Sequence, residues 1–178
     1  MNPITTIDEF DAWLAGPGAT TPEIWLLVAR KGHEGLTADE AGDVAICHGW
    51  IDSHRKSHST SHFRQRYSHR RAGSPWSQVN VARAEALESA GRMRAGGRAE
   101  IEAAKADGRW QSAYPSQATA GIPADLTAAL ATDPQAAAAF TALTRSARYA
   151  LFLPMLKART AQSRTSALTR ALRTLRTR

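Results

Sequence analysis

Residues 49–67, with the sequence GWIDSHRKSHSTSHFRQRY, form the stretch on which the predicted fold depends. From Trp50 onward the side-chain pattern changes to a period of two, which is typical of β-strands. The Ser-Thr-Ser sequence at 59–61 supplies polar turn residues in the middle of the stretch. The sequence therefore predicts an antiparallel hairpin over about residues 50–71, although no Asn-Gly pair fixes its register.

Capping residues predict one helix on each side of an apolar strand that precedes the hairpin. Thr6 is followed three residues later by Glu9, and Thr37 by Glu40, which is the pattern of a capping box. Between the two helices lies EIWLLVARK, residues 23–31, a continuous apolar run that suits a strand covered on both faces. We therefore expect this segment to be a central strand of the sheet.

The chain after the hairpin carries helix signals almost throughout. Ser74 followed by Pro75 predicts an N-cap and the first position of a helix. A shorter helix is expected at about residues 95–106, which ends before Asp107 and Gly108. The later helix starts are expected at Pro123, at Asp133-Pro134 and at Thr160.

Strands early in the chain and helices late in it predict the α+β class. We expect residues 1–107 to form an α+β domain, in which helices pack on a small antiparallel sheet. Residues 108–122 are interpreted as a linker, because GRWQSAYPSQATAGI has no helical or strand periodicity. The alanine-rich residues 123–178 then form a C-terminal helical module, which we expect to pack on the first part.

The composition predicts a soluble cytoplasmic protein with no membrane span. The only cysteine, Cys47, excludes an intramolecular disulfide and makes a reducing compartment the default expectation. The first fourteen residues contain three acidic side chains and no basic region, unlike a signal peptide. The longest apolar stretch, IWLLVA, is far shorter than the about 20 residues that a membrane helix needs.

The net charge of +7 is concentrated in two basic blocks. Residues 50–71 contain six Lys or Arg and one acid, and residues 145–178 contain nine and no acid. Such blocks attract phosphate and other anions, so nucleic acid is one possible partner. No recognition motif or pattern of stacking aromatic residues accompanies the charge, and nucleic-acid binding is therefore kept as an alternative.

The histidines of the hairpin raise the question of a metal site. His54, His58 and His62 are four residues apart, and a helix would present all three imidazoles on one face. On a hairpin the turn redirects His62, and no HExxH or Cys-His ligand pattern completes a set. We therefore predict no metal. Walker loops, GxGxxG motifs and GxSxG elbows are also absent from the sequence, so we expect no cofactor.

Large amphipathic residues in three parts of the chain are the remaining candidates for a binding site. Buried Trp and Tyr need polar partners, so these residues can act as structural contacts between hairpin, helix and linker. They can also form a pocket in which aromatic walls hold a planar ligand and arginines hold its anionic group. The candidates are Trp50, Asp52, Arg55, Arg70, Arg71, Trp76, Asn80, Arg109, Trp110 and Tyr114.

These residues also carry a family resemblance. The segments CHGWIDSHRK, QRYSHRRAGSPWSQVN, GRM and DGRWQSAY, in this order, resemble the YdeI/OmpD-associated family of bacteriocin-protection or stress proteins. The helical region after residue 120, which includes RSARYA, is similar to the C-terminal module of that family. The sequence departs from the family pattern at His48 and Ser53, where the family usually has a Phe-like residue and Gly. The resemblance implies protection against antimicrobial or envelope stress and no known set of catalytic residues.

Two functions follow as hypotheses. The first is a non-catalytic protein that binds a small molecule, such as an antimicrobial compound, and contributes to antimicrobial tolerance. The second is a self-resistance enzyme that hydrolyses or opens a reactive natural product, with His48 or His54 and Asp52 as the general base. Histidine suits this role because its ordinary pKa is about 6.5. The sequence leaves open whether the protein is an enzyme, and it does not indicate an oligomeric state.

Overall fold

A computed structural model of the protein describes residues 4–177. Within this range the chain forms eight α-helices and a three-stranded sheet. The elements are α1 (Ile7–Ala15), β1 (Glu23–Ala29), α2 (Ala38–Cys47), β2 (Trp50–Ser57), β3 (His62–His69), α3 (Gln78–Ser89), α4 (Ala95–Ala106), α5 (Ala124–Ala131), α6 (Pro134–Ala142), α7 (Arg145–Leu156) and α8 (Ala161–Arg176). The sheet lies early in the chain and a run of helices follows it, which confirms the predicted α+β class.

Both predicted capping boxes are present. At the start of α1, the Thr6 hydroxyl accepts a hydrogen bond from the Glu9 backbone N–H at 3.3 Å, and the Glu9 carboxylate accepts one from the Thr6 N–H at 3.0 Å. Thr37 and Glu40 exchange the same two bonds at the start of α2, at 3.2 and 2.9 Å. Each box satisfies backbone donors that the first helical turn cannot pair.

The predicted hairpin is confirmed, with β2 and β3 antiparallel and a turn at residues 58–61. In the turn, the Ser59 backbone N–H donates to the carbonyl of His62 at 2.9 Å, and the Ser59 hydroxyl accepts from the His62 N–H at 3.0 Å. The ladder shifts register between Asp52 and Arg55, which marks a β-bulge near the middle of β2.

The prediction that residues 23–31 form a central strand is wrong. The sheet order is β1-β3-β2, so β3 is central and β1 is an edge strand. Leu26 and Val28 are buried in the core, whereas Leu27, on the other face, is 42% exposed. The Lys56 ammonium lies 4.6 Å from the Trp25 ring and covers part of β1 with its long side chain. The apolar sequence of β1 is therefore compatible with an edge position, where the strand has only β3 as a neighbour.

The third helix begins later than the Ser74-Pro75 signal predicts. Helix α3 starts at Gln78, because Ser74 is used in the preceding turn. The Ser74 hydroxyl accepts from the Arg71 backbone N–H at 3.0 Å, and the Ser74 N–H donates to the Arg71 carbonyl at 2.9 Å. A serine that closes a turn in this way is not available as a helix cap.

The chain divides into two compact units. One consists of the chain up to Trp76 together with Asn80–Ser112, and the other consists of Ser77–Val79 with the chain from Ala113 onward. The core of the first unit lies between the sheet, α1 and α2, and its largest buried side chains are Phe10, Trp13, Trp50, Phe63 and Tyr67. The core of the second unit includes Leu126, Phe140, Phe152, Met155 and Leu175.

The predicted helix starts in the second unit are confirmed. Pro123 precedes α5, the Asp133 carboxylate caps α6 by accepting from Ala136 N–H at 3.0 Å, and Thr160 caps α8. An ion pair joins α5 to α8, since the Arg164 guanidinium donates to both carboxylate oxygens of Asp125 at 2.7 and 2.8 Å. These contacts hold the beginning of α8 in place.

Candidate functional site

A cleft of about 700 Å³ lies in the first unit, lined by residues of α1, the end of α2, the facing ends of β2 and β3, and α4. Gly49 separates α2 from β2 with φ of +78°, a left-handed conformation that glycine adopts without a steric penalty. This turn brings the end of α2 and the start of β2 to the same cleft. We call it the His48 cleft, and its polar lining residues are Asp11, His48, His69, Arg70, Arg94 and Glu100.

Three of these polar side chains form a connected chain of hydrogen bonds. His48 Nε2 lies 2.8 Å from Asp11 Oδ1, and Arg94 Nη2 donates to Asp11 Oδ2 at 2.7 Å. Burial raises the pKa of Asp11, but the hydrogen bonds from His48 and Arg94 outweigh this effect and hold the pKa below its ordinary value. Asp11 is therefore ionised at neutral pH, and it orients the imidazole of His48.

Aromatic rings form the wall behind these polar groups. Trp50 is 1% exposed and packs edge-on against Trp13, with ring centroids 5.6 Å apart. The His69 ring lies against Trp50 at 4.3 Å. Since His69 Nε2 is 3.1 Å from the carbonyl oxygen of Gly18, which only accepts, this nitrogen is the donor. The imidazoles of His48 and His69 are thus both held by hydrogen-bond partners.

The predicted site residues do not gather around one cavity. Trp50 and Arg70 line the His48 cleft. The Arg70 guanidinium also lies 3.6 Å above the ring of Trp76, and Trp76 packs against Trp110 at 4.9 Å. Arg109 is buried, donates to the Asp107 carboxylate at 2.7 Å and donates to the Ser74 carbonyl at 2.9 Å. This part of the predicted set packs the hairpin, the following turn and the end of α4 against one another.

The other predicted residues lie elsewhere. Asp52 and Arg55 are exposed on β2, and Arg55 donates to the Gln65 side chain at 3.0 Å. Arg71 is exposed in the turn before α3, and Asn80 is half-buried in α3. Tyr114 belongs to the second unit.

Neither candidate histidine has Asp52 as its carboxylate partner. His48 pairs with Asp11 instead, and Nδ1 of His54 lies 3.4 Å from Nη1 of Arg66 on the exposed side of the hairpin. Asp52 stands opposite Tyr67 in the ladder, and its negative charge adds to the burial that raises the pKa of the Tyr67 hydroxyl. The structure therefore favours His48 over His54 as the histidine with a positioned partner.

Asp11, His69 and Arg94 were missed by the sequence reasoning. Asp11 lies 37 residues before His48, and Arg94 lies 83 residues after Asp11, so no local spacing connects them. The sequence offered one signal for Asp11: it is a polar residue directly after Phe10, which belongs to the apolar face of α1. That signal alone does not distinguish a site residue from a solvated helix face.

A second cavity in the first unit, of about 480 Å³, lies between α3, α4 and Trp110. Two ion pairs lie in its lining, and Glu85 adds a further acidic side chain. Arg98 donates to Glu88 at 3.0 Å, and Lys105 donates to Glu102 at 3.0 Å. Both cations of this lining are therefore already bound by carboxylates, whereas the His48 cleft combines a positioned imidazole with aromatic surface, and it is the better candidate for a polar ligand.

The structure was also inspected for metal-binding clusters and for helices that could span a membrane. Within residues 4–177, no three His, Cys, Asp or Glu side chains are placed so that they could hold a metal ion. Among the helices in that range, none is both long and apolar enough to cross a membrane.

Comparison with protein families divides the chain in two. Residues 3–100 match the family described as a domain of unknown function (DUF8412). Residues 119–177 match the family described as "Bacteriocin-protection, YdeI or OmpD-Associated", which confirms the suspected resemblance for the C-terminal helices. The segments at 47–56 and 65–80, which first suggested the resemblance, lie within the DUF8412 match. Searches of curated proteins and of solved structures found no match. The DUF8412 match covers more than half of the 178 residues of the chain. The chain therefore belongs to the DUF8412 family, and it carries a YdeI/OmpD-associated segment at residues 119–177.

Proposed function

We propose that the protein binds a small amphipathic molecule in the His48 cleft and that this binding contributes to tolerance of an antimicrobial compound in the cytoplasm. The observation that carries the proposal is the convergence of an aromatic wall and a hydrogen-bonded His48-Asp11-Arg94 chain on one cleft. Its volume of about 700 Å³ falls within the usual range for small-molecule sites, about 300–1,000 Å³.

The lining of the cleft favours a ligand with both apolar and polar parts. Ala15 and Ala99 supply exposed apolar surface, and the nearly buried side chains of Leu14 and Trp50 line the cleft behind them. The polar groups are fixed by their own partners, so a ligand meets donors and acceptors that need little reorganisation. The family description of residues 119–177 names bacteriocin protection, which supports the antimicrobial part of the proposal.

Ala99→Phe is expected to weaken ligand binding by about tenfold or more, equivalent to about 1.4 kcal/mol. Ala99 is exposed on α4 and lines the cleft, so a phenyl ring placed there occupies the ligand volume without removing a core contact. The ligand is first identified by native mass spectrometry of protein purified from its own host, followed by denaturation and analysis of the released molecule. Isothermal titration with that molecule then gives the dissociation constant.

Ala103→Phe is the matched control, because Ala103 is also exposed on α4 but does not line the cleft. It should bind with the affinity of the unmodified protein. Equal binding by both variants would place the ligand elsewhere. Two results together would contradict the proposal as a whole. The native mass spectrum would show no bound molecule, and a strain that lacks the protein would keep its antimicrobial susceptibility unchanged.

A second candidate function, hydrolysis or ring opening of the bound compound, is favoured by the His48–Asp11 pair. A carboxylate 2.8 Å from an imidazole nitrogen is the arrangement that orients a general base. The protein is incubated with a hundredfold molar excess of the compound identified by native mass spectrometry, and the products are analysed by mass spectrometry. A binding protein returns the compound unchanged. An enzyme converts many equivalents and loses this conversion in His48→Gln.

A further inference from the structure

The second unit contains a groove of its own, of about 550 Å³, formed by α7, the first ten residues of α8 and the residues between the two helices. The charged side chains that line it are all cationic, namely Lys157, Arg159 and Arg170. Leu153 and Pro154 contribute an apolar wall. The neighbouring sequence offers no local counter-charge, because residues 145–178 contain nine Lys or Arg and no acid.

Lys157 is the residue that distinguishes this groove from an ordinary basic surface. Its side chain is half-buried, and its ammonium lies 4.8 Å from the centre of the Tyr114 ring. Within residues 4–177, Nζ of Lys157 has neither a carboxylate partner nor a hydrogen-bond acceptor. Burial lowers the pKa of this ammonium. A partly desolvated cation without a counter-charge is unfavourable in the free protein, and a bound anion would relieve that cost.

Three other cations of the same unit, Arg145, Arg164 and Arg176, have partners of their own. Arg164 binds the Asp125 carboxylate, and Arg176 donates to Asp133 at 2.6 Å. Arg145 donates to the Ala118 carbonyl at 2.8 Å. The Ser163 hydroxyl in the groove is occupied by the capping box of α8. At the end of the groove near Ser163, the positive end of the α8 dipole adds to the attraction for an anion.

We propose that this groove binds the oxyanion, phosphate or carboxylate, of a small molecule that also has an apolar body. Lys157 and Arg170 hold the oxyanion, since both are strong donors to charged oxygens. Leu153, Pro154 and the neighbouring alanines receive the apolar part. This site is separate from the His48 cleft, and its test does not depend on the function proposed for that cleft.

The test uses the full-length protein labelled with ¹⁵N and three probes with the same ring system. 2-Naphthyl phosphate and 2-naphthoate carry the two oxyanions, and 2-naphthol is the neutral counterpart. Amide resonances are followed during each titration. Both anions are expected to shift residues of the groove, at about 150–170, and to bind at least about tenfold more tightly than 2-naphthol. Binding by only one anion would identify which oxyanion the groove accepts, and thereby support the proposal.

Lys157→Met is expected to weaken binding of the anions by about tenfold or more, because a hydrogen bond to a charged group is lost. Arg173→Met is the matched control, since Arg173 is exposed on α8 and does not line the groove. It should change the dissociation constant by less than about twofold. Circular dichroism establishes that both variants are folded.

Several outcomes would overturn the proposal. Equal affinity for 2-naphthol and the anions would show that only the apolar surface binds. Equal losses in Lys157→Met and Arg173→Met would indicate a diffuse electrostatic effect. Failure of both naphthyl anions, combined with salt-dependent binding of a single-stranded 20-mer DNA, would assign the basic block to nucleic acid instead.

Discussion

Gly97→Ala is expected to lower the free energy of unfolding of the first unit by about 1–3 kcal/mol. The added methyl group would collide with the carbonyl oxygen of Cys47 and the sulfur of Met93, and it would lie 2.7 Å from the carbonyl oxygen of Ile46. These carbonyls belong to the last turn of α2, and the Cys47 carbonyl already accepts from the Arg94 N–H at 3.1 Å. The backbone of α4 can reach α2 only without a side chain at position 97.

Gly42→Ala is the matched control for this prediction. Gly42 lies inside α2, and a methyl group there would meet only Nη1 of Arg83, at 3.0 Å. That atom ends a long side chain whose guanidinium is paired with Asp39 and Asp43, and a small shift of this group would relieve the contact without moving any backbone. Replacing glycine by alanine within a helix is favourable by about 1 kcal/mol, so this variant should be as stable as the unmodified protein or more stable.

Urea denaturation followed by tryptophan fluorescence is the measurement. All five tryptophans lie in the first unit, so their emission reports on that unit alone. A loss of stability in Gly97→Ala that is no larger than in Gly42→Ala would show that the contact between α4 and α2 relaxes easily. The contact matters for function because it positions Arg94 and Ala99 along the His48 cleft.

Trp76→Ala is expected to destabilise the first unit by about 3–5 kcal/mol, which is enough to unfold many domains of this size. Trp76 is 2% exposed, and its ring lies between the Arg70 guanidinium at 3.6 Å and the Trp110 ring at 4.9 Å. Truncation would leave a cavity and would also remove the ring face that covers a buried cation. A role in ligand binding therefore cannot be tested with this variant alone.

Trp76→Phe and Trp25→Ala provide the comparisons. Phenylalanine keeps an aromatic face under Arg70. It also removes a buried indole N–H that has no acceptor among residues 4–177, so a small effect is expected. Trp25 is only half-buried on the edge strand, and its truncation should cost less than that of Trp76. Urea denaturation followed by far-ultraviolet circular dichroism avoids the loss of the fluorescent probe. Equal costs for Trp25→Ala and Trp76→Ala would contradict a structural role for the Arg70-Trp76-Trp110 stack.

Features that depend on neighbouring residues were predictable. The capping boxes at Thr6 and Thr37 and the turn at 59–61 were all found because their hydrogen bonds join residues three or four apart. The start of α3 was missed for a related reason. The Ser74 hydroxyl can cap a helix or accept a hydrogen bond within a turn, and the neighbouring sequence does not distinguish these two roles.

The role of glycines 96 and 97 shows a different limit. The sequence placed them only inside the helix that it predicts at about residues 95–106. In the structure they allow close packing, since a methyl group on Gly96 would lie 2.6 Å from the carbonyl oxygen of His48. The partner atoms are about fifty residues away in the chain, so no local pattern could reveal the contact.

By itself, the sequence determined the α+β class, the hairpin and the helix starts of the C-terminal segment, because period and capping are local properties of a chain. Only the tertiary structure decided that β1 lies at the sheet edge, that His48 is oriented by Asp11, and that Lys157 has no counter-charge within residues 4–177. Each of these depends on which distant residues pack together. Such packing depends on the whole fold, and it cannot be predicted from the spacing of residues along the chain.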